Sequence, residues 1–417
     1  MIDFETPEVI AQTHNALETV AVNMMRPVSR YFDEHEHEIP WDYINFMHMA
    51  MRATGAGSLA PRERKKEGPD GKPRPRLGYQ SLAFMLETLS WGDVGLYLVT
   101  PGGGLGAAAV EAAGTPEQKE KFLARFRQDA PAFGAMAMTE PHAGSDTSAI
   151  RTTAVLDKEK NEWVLNGEKI FVTAGNLSLC ESDGLVVVWA TIDPHVQPRQ
   201  AGMRAFVIPA RTPGVSVTKL EHKMGIRASD TASIVLQDCR VPFDHILGSP
   251  EVEVRTTTGF KGAMATFDAT RPLVAATAIG VARATLDLLK ELLAQQGVVI
   301  RYGLPRQKLT HVEAAVIDME VMLRSAWLLV IKAVWMADNG KPNSLEASMS
   351  KVRAGDVVNR ITQKAVELMG PLGYSRDLLL EKWFRDAKIS DIYEGTGQIN
   401  RLIVARHILG YRGSELR

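Results

Sequence analysis

The sequence predicts an α+β fold, mostly α, in three parts: an N-terminal helical domain (1–133), a middle antiparallel β domain (134–250) and a C-terminal helical bundle domain (251–417). Three observations predict it. Apolar residues recur every three or four positions on both flanks of the chain. The stretch from Gly134 to about Gly248 breaks instead into short β-rich runs separated by Gly, Pro, Asn and Asp. Strands and helices do not alternate as a parallel Rossmann sheet would require. A chain of 417 residues also exceeds one comfortable core, so several domains, or one body with an insert, are expected.

In the first part the helical spacing is clear from Gln80 to about Gln128, through LAFMLETLS and PEQKEKFLARFR. The β part comprises EWVLNGEKIFVT, GLVVVWATID, RAFVIPA, GVSVTKL and TASIVLQ. Within the first of these, Asn166-Gly167 predicts a tight hairpin, because both central residues of such a turn take positive φ. In the last part Val312, Val316, Met319, Leu323, Ala326, Val330, Ala333 and Ala337 form one apolar stripe, and a helix of that length needs bundle neighbours.

Composition narrows the function. Hydrophobic residues make up 45% and charged residues 23%, the mixture of an ordinary globular protein. Lys plus Arg (48) nearly balance Asp plus Glu (49), so no overall field draws the chain to nucleic acid or to an anionic membrane. The start, MIDFETPEVI, lacks the basic and apolar regions of a secretory signal, and no run reaches the roughly 18 apolar residues of a membrane span. A cytoplasmic location is expected. Cys180 and Cys239 are too few for a disulfide framework and read as buried small hydrophobes.

Several suggestive patterns carry little. Gly102, Gly104 and Ala107 fit G-x-G-x-x-A, but an amphipathic helix follows where a dinucleotide fold needs a second strand. In DEHEHE, His35 and His37 are two apart and share no helix face, so the segment reads as solvated charge and no metal site is expected. The basic, proline-rich run Arg62 to Arg76 reads as an exposed loop.

Two segments carry chemistry. AMAMTEPHAGSD offers the small and hydroxyl residues Thr139, Gly144 and Ser145, which let donors approach a flat polar ring; an ordinary capped turn has the same composition. DIYEGTGQ sets Glu394 directly before Gly-Thr-Gly, where a backbone without bulk lies close to a ligand; a lone surface Glu is the plainer alternative.

Together AMAMTEPHAGSD (135–146), WVLNGEKIFVTAG (163–175) and RDAKISDIYEGTGQINRLIVARHILG (385–410) resemble the acyl-CoA dehydrogenase family, with KMGIRASDTASIVLQDCRVP and FDATRP as weaker matches. The resemblance covers nearly the whole chain and implies the family's fold, helical block, β domain and helical bundle. It implies FAD as cofactor, with Met138 and Thr139 lining the flavin, Phe171 and Thr173 bordering the isoalloxazine, and Thr396 and Gln398 reaching FAD. Ser145 would lie at the CoA ligand beside the cofactor. Glu394 would be the catalytic base, with its own peptide N–H on the thioester oxygen and Gly395 beside the substrate. Asp268 and Arg271 would support CoA and substrate; an interhelical ion pair is an equal alternative for Arg271.

Some relatives carry the base on a bundle helix, at the place that here is Thr270, which cannot act as one. Two departures touch FAD. Val299 stands where many relatives have an Arg that crosses to the FAD pyrophosphate, leaving Arg301, two residues away, as the cofactor candidate, and Glu367 replaces a Gln in the element whose Gly370 would contact FAD. Weaker FAD binding is expected. The resemblance further implies an acyl-CoA substrate, an electron-transfer flavoprotein as acceptor and a homotetramer. Chain length favours a dehydrogenase over an acyl-CoA oxidase, and Glu394 argues against a non-catalytic acyl-CoA-binding relative. The small residues Pro101 to Gly104 and Leu96, where glutaryl-type relatives have an Arg, predict a bulky or cyclic acyl group; glycines that only permit close helix packing are an equal alternative.

Overall fold

The structure is a computed structural model, and it describes residues 6–54, 76–249, 258–411 and 415; the basic run 62–76 lies outside these apart from Arg76. The N-terminal block holds α1 (Glu8–Val20), α2 (Ser29–Glu34), α3 (Trp41–Thr54), α4 (Gly78–Tyr97), α5 (Gly104–Ala113) and α6 (Pro116–Leu123). The middle region holds β1 (Gly134–Ala137), β2 (Thr153–Asp157), β3 (Glu162–Thr173), β4 (Leu185–Thr191), β5 (Met203–Pro209), β6 (Val215–Leu220) and β7 (Thr231–Pro242). The last region holds α7 (Thr258–Gln295), α8 (His311–Asp338), α9 (Ser344–Met369), α10 (Pro371–Tyr374), α11 (Leu380–Ala387) and α12 (Gly397–Leu409).

Helix starts follow from sequence chemistry. Thr115 with Gln118 and Thr310 with Glu313 form capping boxes that satisfy first-turn N–H groups of α6 and α8. The stripe predicted on α8 faces the bundle, with Val316, Met319, Ala326, Val330 and Ala333 fully buried against α7 and α9. The stretch Thr266–Gln295 of α7 is long and apolar enough to cross a membrane, contrary to the expectation that no run is; it is the central bundle helix, with 72% of its most apolar window buried inside the fold.

The sheet runs β1-β4-β2-β3-β7-β6, with β5 also on β4. It is antiparallel except that β1 and a single residue pair of β2 run parallel to β4. Both faces of β4 are buried, since Leu185, Val187 and Trp189 enter one apolar cluster and Val186, Val188 and Ala190 another. A continuous LVVVWA run is what a strand between two cores requires.

Four expectations need correction. Asn166-Gly167 makes no hairpin: β3 runs through it, and the turn to β2 comes before Glu162. Gly167, at φ 152°, sits at a bulge, and a Cβ there would fall 2.5 Å from the Thr152 hydroxyl, so close approach explains the glycine. Cys239 is buried but Cys180 is exposed. Gly104 and Gly106 press α5 onto β1, where added Cβ atoms would lie 2.8 Å from the Gly134 carbonyl oxygen and 2.7 Å from that of Ala135. The DEHEHE segment is docked in part: Asp33 is buried and Glu36 and His37 half-buried, while Glu34, His35 and Glu38 are exposed. Asp33 holds Arg385, and Glu36 accepts from the Lys223 N–H at 2.8 Å with Arg227 at 3.4 Å. Glu36, His37 and His222 bring three ligand atoms within 4.8 Å, but those cations already surround the carboxylate and disfavour a metal.

One polar knot binds first and last parts. At Asp93 the α4 backbone leaves helical geometry, and its carboxylate takes bonds from Ser29, the Leu96 N–H and Lys382. Lys382 also donates to Asp386 at 2.6 Å, and Asp386 accepts the Ile226 N–H from the β domain. All three charged side chains are buried, so each depends on the others for solvation.

Candidate active site

Glu394 lies between the short turn after α11 and the start of α12, with its backbone at φ 56°, the left-handed region that non-glycine residues rarely adopt. Gly395 follows at φ 92°, and Thr396 caps α12 by accepting the Ile399 N–H. This sequence of conformations turns the Glu394 side chain back toward α7. There the Thr270 hydroxyl donates to its Oε2 at 2.8 Å. Arg271, buried and paired with Asp268 at 2.8 Å, and Lys351 from α9 are the cations that act on the same carboxylate. Burial pushes the Glu394 carboxyl above the usual range, against the pull of the Thr270 bond, Lys351 and Arg271.

Asp268 also accepts from Ser344 at 3.1 Å, while the Nε of Arg271 is buried with no partner among the described residues and faces Gly395. The ion pair of Arg271 is therefore made within α7 and not between helices as the alternative had it, and it leaves one donor to spare. The Thr270 contact was out of reach of sequence reasoning, which could say only that Thr is no base.

The second half of the site belongs to the β domain. The Thr139 carbonyl accepts the Ile170 N–H at 2.9 Å, which lays the end of β1 beside the end of β3. Buried Lys169 donates to the Met138 carbonyl at 3.0 Å and to Glu140 at 2.7 Å. Glu140 in turn accepts the N–H groups of Arg151 and Thr152 and the Thr152 hydroxyl. Above this frame Phe171 takes φ 57° at a bulge in β3 and leaves 60% of its surface exposed. The hydroxyls of Thr139 and Thr173 have no hydrogen-bond partner among the described residues. An open aromatic ring beside free hydroxyl donors suits a flat ring with polar edges. Met138 shares an apolar cluster with Phe267, and the guanidinium of Arg271 lies 5.8 Å from the centre of that ring, which connects the two halves of the site.

The remaining candidates spread outward. Ser145 is exposed in the loop after β1, next to Gly144, where an added Cβ would meet nothing within 4 Å. Gln398 is exposed on the first turn of α12. Arg301 is not free: it donates to both oxygens of Glu313, at 2.6 and 2.7 Å. Gly370 ends α9 at φ 55°, and the helical rise puts it about 28 Å along that axis from Lys351, so one copy does not bring it to Glu394. Near it a groove of about 370 Å³ between α8 and α9 is lined by Arg306, His311, Arg360, Lys364 and Glu367.

Residues 135–239 match the model of the acyl-CoA dehydrogenase middle domain, and residues 257–409 that of the C-terminal domain. The short-chain specific acyl-CoA dehydrogenase of Rattus norvegicus mitochondria is 32% identical over 97% of this chain and 91% of its own length. The chain belongs to the acyl-CoA dehydrogenase family. Acryloyl-CoA reductase (NADH) of Anaerotignum propionicum is 38% identical over 71% of each chain. Among solved structures, butyryl-CoA dehydrogenase from Megasphaera elsdenii superposes with a TM-score of 0.82 at 30% identity, covering 98% of this chain and 100% of that one. The chain thus has the acyl-CoA dehydrogenase fold, and it is an oxidoreductase that dehydrogenates acyl-CoA with FAD as cofactor. The unpartnered hydroxyls and exposed ring at Thr139, Phe171 and Thr173 fit that cofactor's flavin.

Proposed function

We propose that the chain removes the elements of hydrogen from Cα and Cβ of a saturated acyl-CoA to give the 2-enoyl-CoA, with Glu394 as the base. The supporting observation is the state of Glu394: a partly buried carboxylate, held in a left-handed backbone, bonded to one neutral hydroxyl and, among the described residues, to no cation directly. Such a group is not consumed by structure. Its peptide N–H has no acceptor among the described residues, which leaves it for the thioester oxygen.

A proton beside a thioester is a weak acid, so its removal needs a base on the carbon and a donor where enolate charge develops. The Glu394 carboxylate takes the α-proton while its N–H receives the carbonyl oxygen. FAD, when bound, supplies the acceptor for the hydride that leaves Cβ, at flavin N5. Met138, Thr139, Phe171 and Thr173 would hold the flavin, with Thr396 and Gln398 as further donors. Ser145, Asp268, Arg271 and Gly395 would hold substrate and CoA. The spare Nε of Arg271 gives it a donor to offer.

For the acyl group the names of the relatives favour a short chain. The bulky or cyclic expectation loses part of its ground, because the space at Gly104 is taken by β1, although a Cβ added at Gly102 would meet nothing nearer than Met51 Cε at 4.0 Å. An electron-transfer flavoprotein is the proposed acceptor, and a homotetramer the proposed assembly. The latter is supported by Val321, Leu328 and Trp335, an exposed stripe at seven-residue spacing on α8.

The test is spectroscopic. FAD-loaded protein is mixed without oxygen with butyryl-, isobutyryl-, cyclohexanecarboxyl- and glutaryl-CoA. Bleaching of the flavin band by at least one saturated thioester is expected, butyryl-CoA foremost. Absence of bleaching across the panel would sink the activity, and rapid recolouring in air would make it an oxidase.

A further inference from the structure

Lys351 is buried at 2% exposure, yet forms no salt bridge among the described residues. Its ammonium donates to the Ser390 carbonyl at 2.6 Å and lies 3.4 Å from the Gly395 carbonyl. It also sits 5.5 Å from the centre of the Tyr393 ring. One charged nitrogen therefore spans the segment 390–395 from below, touching it on both sides of Glu394. Asn400 completes the clamp by donating to the carbonyls of Gly395 and Thr396, at 2.8 and 3.1 Å.

A buried ammonium without a carboxylate is expensive, and a neutral side chain would fill the space at lower cost. Carbonyl dipoles and an aromatic ring offset only part of that penalty. The left-handed backbone at Glu394 is also unfavourable and persists only if its surroundings over-determine it. The two costs meet at one place.

We propose that Lys351 is a positioning residue for the dehydrogenation: by tying the carbonyls of Ser390 and Gly395 together it holds Glu394 in its left-handed conformation, and its positive charge stabilises the Glu394 carboxylate in the form that accepts the α-proton. This rests on Glu394 being the base. The groups that face this pair are Thr270, Arg271 and Asp268 from α7, Tyr97 from α4, Asp391 and Tyr393 from the segment itself, and Asn400 from α12. Of these only Arg271 is a second cation, and Asp268 already engages it. Burial lowers the Lys351 ammonium to about 8, with Glu394 and Asp391 pulling it up, so it remains charged below that pH.

The experiment is a pH profile of kcat/KM on FAD-loaded protein, with butyryl-CoA or whichever thioester of the panel bleaches fastest and an artificial electron acceptor. Three variants are compared with the parent. Lys351→Met removes charge and donor, Lys351→Gln keeps a donor without charge, and Lys351→Arg keeps charge. The neutral variants should move the limb on which activity rises with pH upward by about one unit, the low end of what an opposite charge supplies, so that they are about tenfold slower one unit below it. Lys351→Arg should restore the parental limb. A limb unmoved in Lys351→Gln overturns the proposal even if Lys351→Met fails to fold, since a packing role would change amplitude alone. Glu394→Gln is run beside them: if it retains turnover, the base assignment falls, and that failure is distinct from an unmoved limb with an inactive Glu394→Gln.

Discussion

The Thr270 hydroxyl donates to Glu394 Oε2 at 2.8 Å across 124 residues of sequence. The place where some relatives carry their base thus touches the base proposed here, and one hydroxyl now orients it. Thr270→Val removes a bond that favours the ionised carboxylate, so the Glu394 carboxyl should rise further. Because the base must be ionised, kcat/KM at low pH should fall about tenfold while Thr270→Ser stays near the parent. Parallel pH profiles of the two variants check this, and equal profiles would exclude the hydroxyl from tuning Glu394.

Glu394→Gln keeps shape and one carbonyl oxygen for Thr270 but cannot take a proton. Turnover should fall by about 10²-fold or more, the usual range for a lost general base, while the flavin spectrum and CoA-ligand binding persist. Stopped-flow bleaching with titration of an enoyl-CoA product measures both.

Lys169→Met leaves Glu140 buried without its cation. Removing one member of a buried pair typically costs about 3–5 kcal/mol, and the frame under Met138 loosens with it. Burial raises the Glu140 carboxyl, but Lys169, the Thr152 hydroxyl and the Arg151 N–H outweigh it and hold it below its usual value. A depressed carboxyl adds stability that is present above the unfolded pKa of about 4.5 and lost as pH falls through the folded one. The variant lacks that contribution, so its deficit should be full from pH 7 down to about 4.5 and shrink only as pH falls below that toward the folded value. Chemical denaturation at several pH values tests the trend, and a deficit independent of pH would contradict it.

Gly106→Ala should destabilise by about 1–3 kcal/mol, because its Cβ would meet the Ala135 carbonyl at 2.7 Å and push α5 off β1. Acyl preference should not change. A variant of parental stability with altered preference for chain length would instead put that glycine at the acyl pocket.

Val299 is 73% exposed, and Arg301 is occupied by Glu313. Val299→Arg should therefore tighten FAD binding measured by calorimetry, whereas Arg301→Ala should leave it nearly unchanged. A large loss in Arg301→Ala would return Arg301 to the cofactor.

The turn through Glu394, Gly395 and Thr396 was legible because its residues are neighbours in space as in sequence, while their roles came from the family resemblance. The three-part division was legible for a similar reason, since the period of apolar residues changes from 3.6 to 2 and back with the element type. Thr270, Lys351 and the Glu140–Lys169 frame were not, because each contact joins distant elements and a lone Thr or Lys carries no local pattern. Gly167 misled because a glycine needed for closeness to Thr152 reads the same as one needed for a turn. DEHEHE misled because its partners, Lys223, Arg227 and Arg385, lie far along the chain.

The knot of Asp93, Lys382 and Asp386, with Arg385 on Asp33, has a bearing on synthesis. A ribosome delivers Asp33 and Asp93 long before Lys382 and Arg385, so the first helices emerge with Asp93 lacking its cation and Asp33 left with Arg30 alone. The N-terminal block is then a provisional assembly during translation, and chains truncated before residue 382 should be held by chaperones or degraded rather than accumulate as a stable fragment.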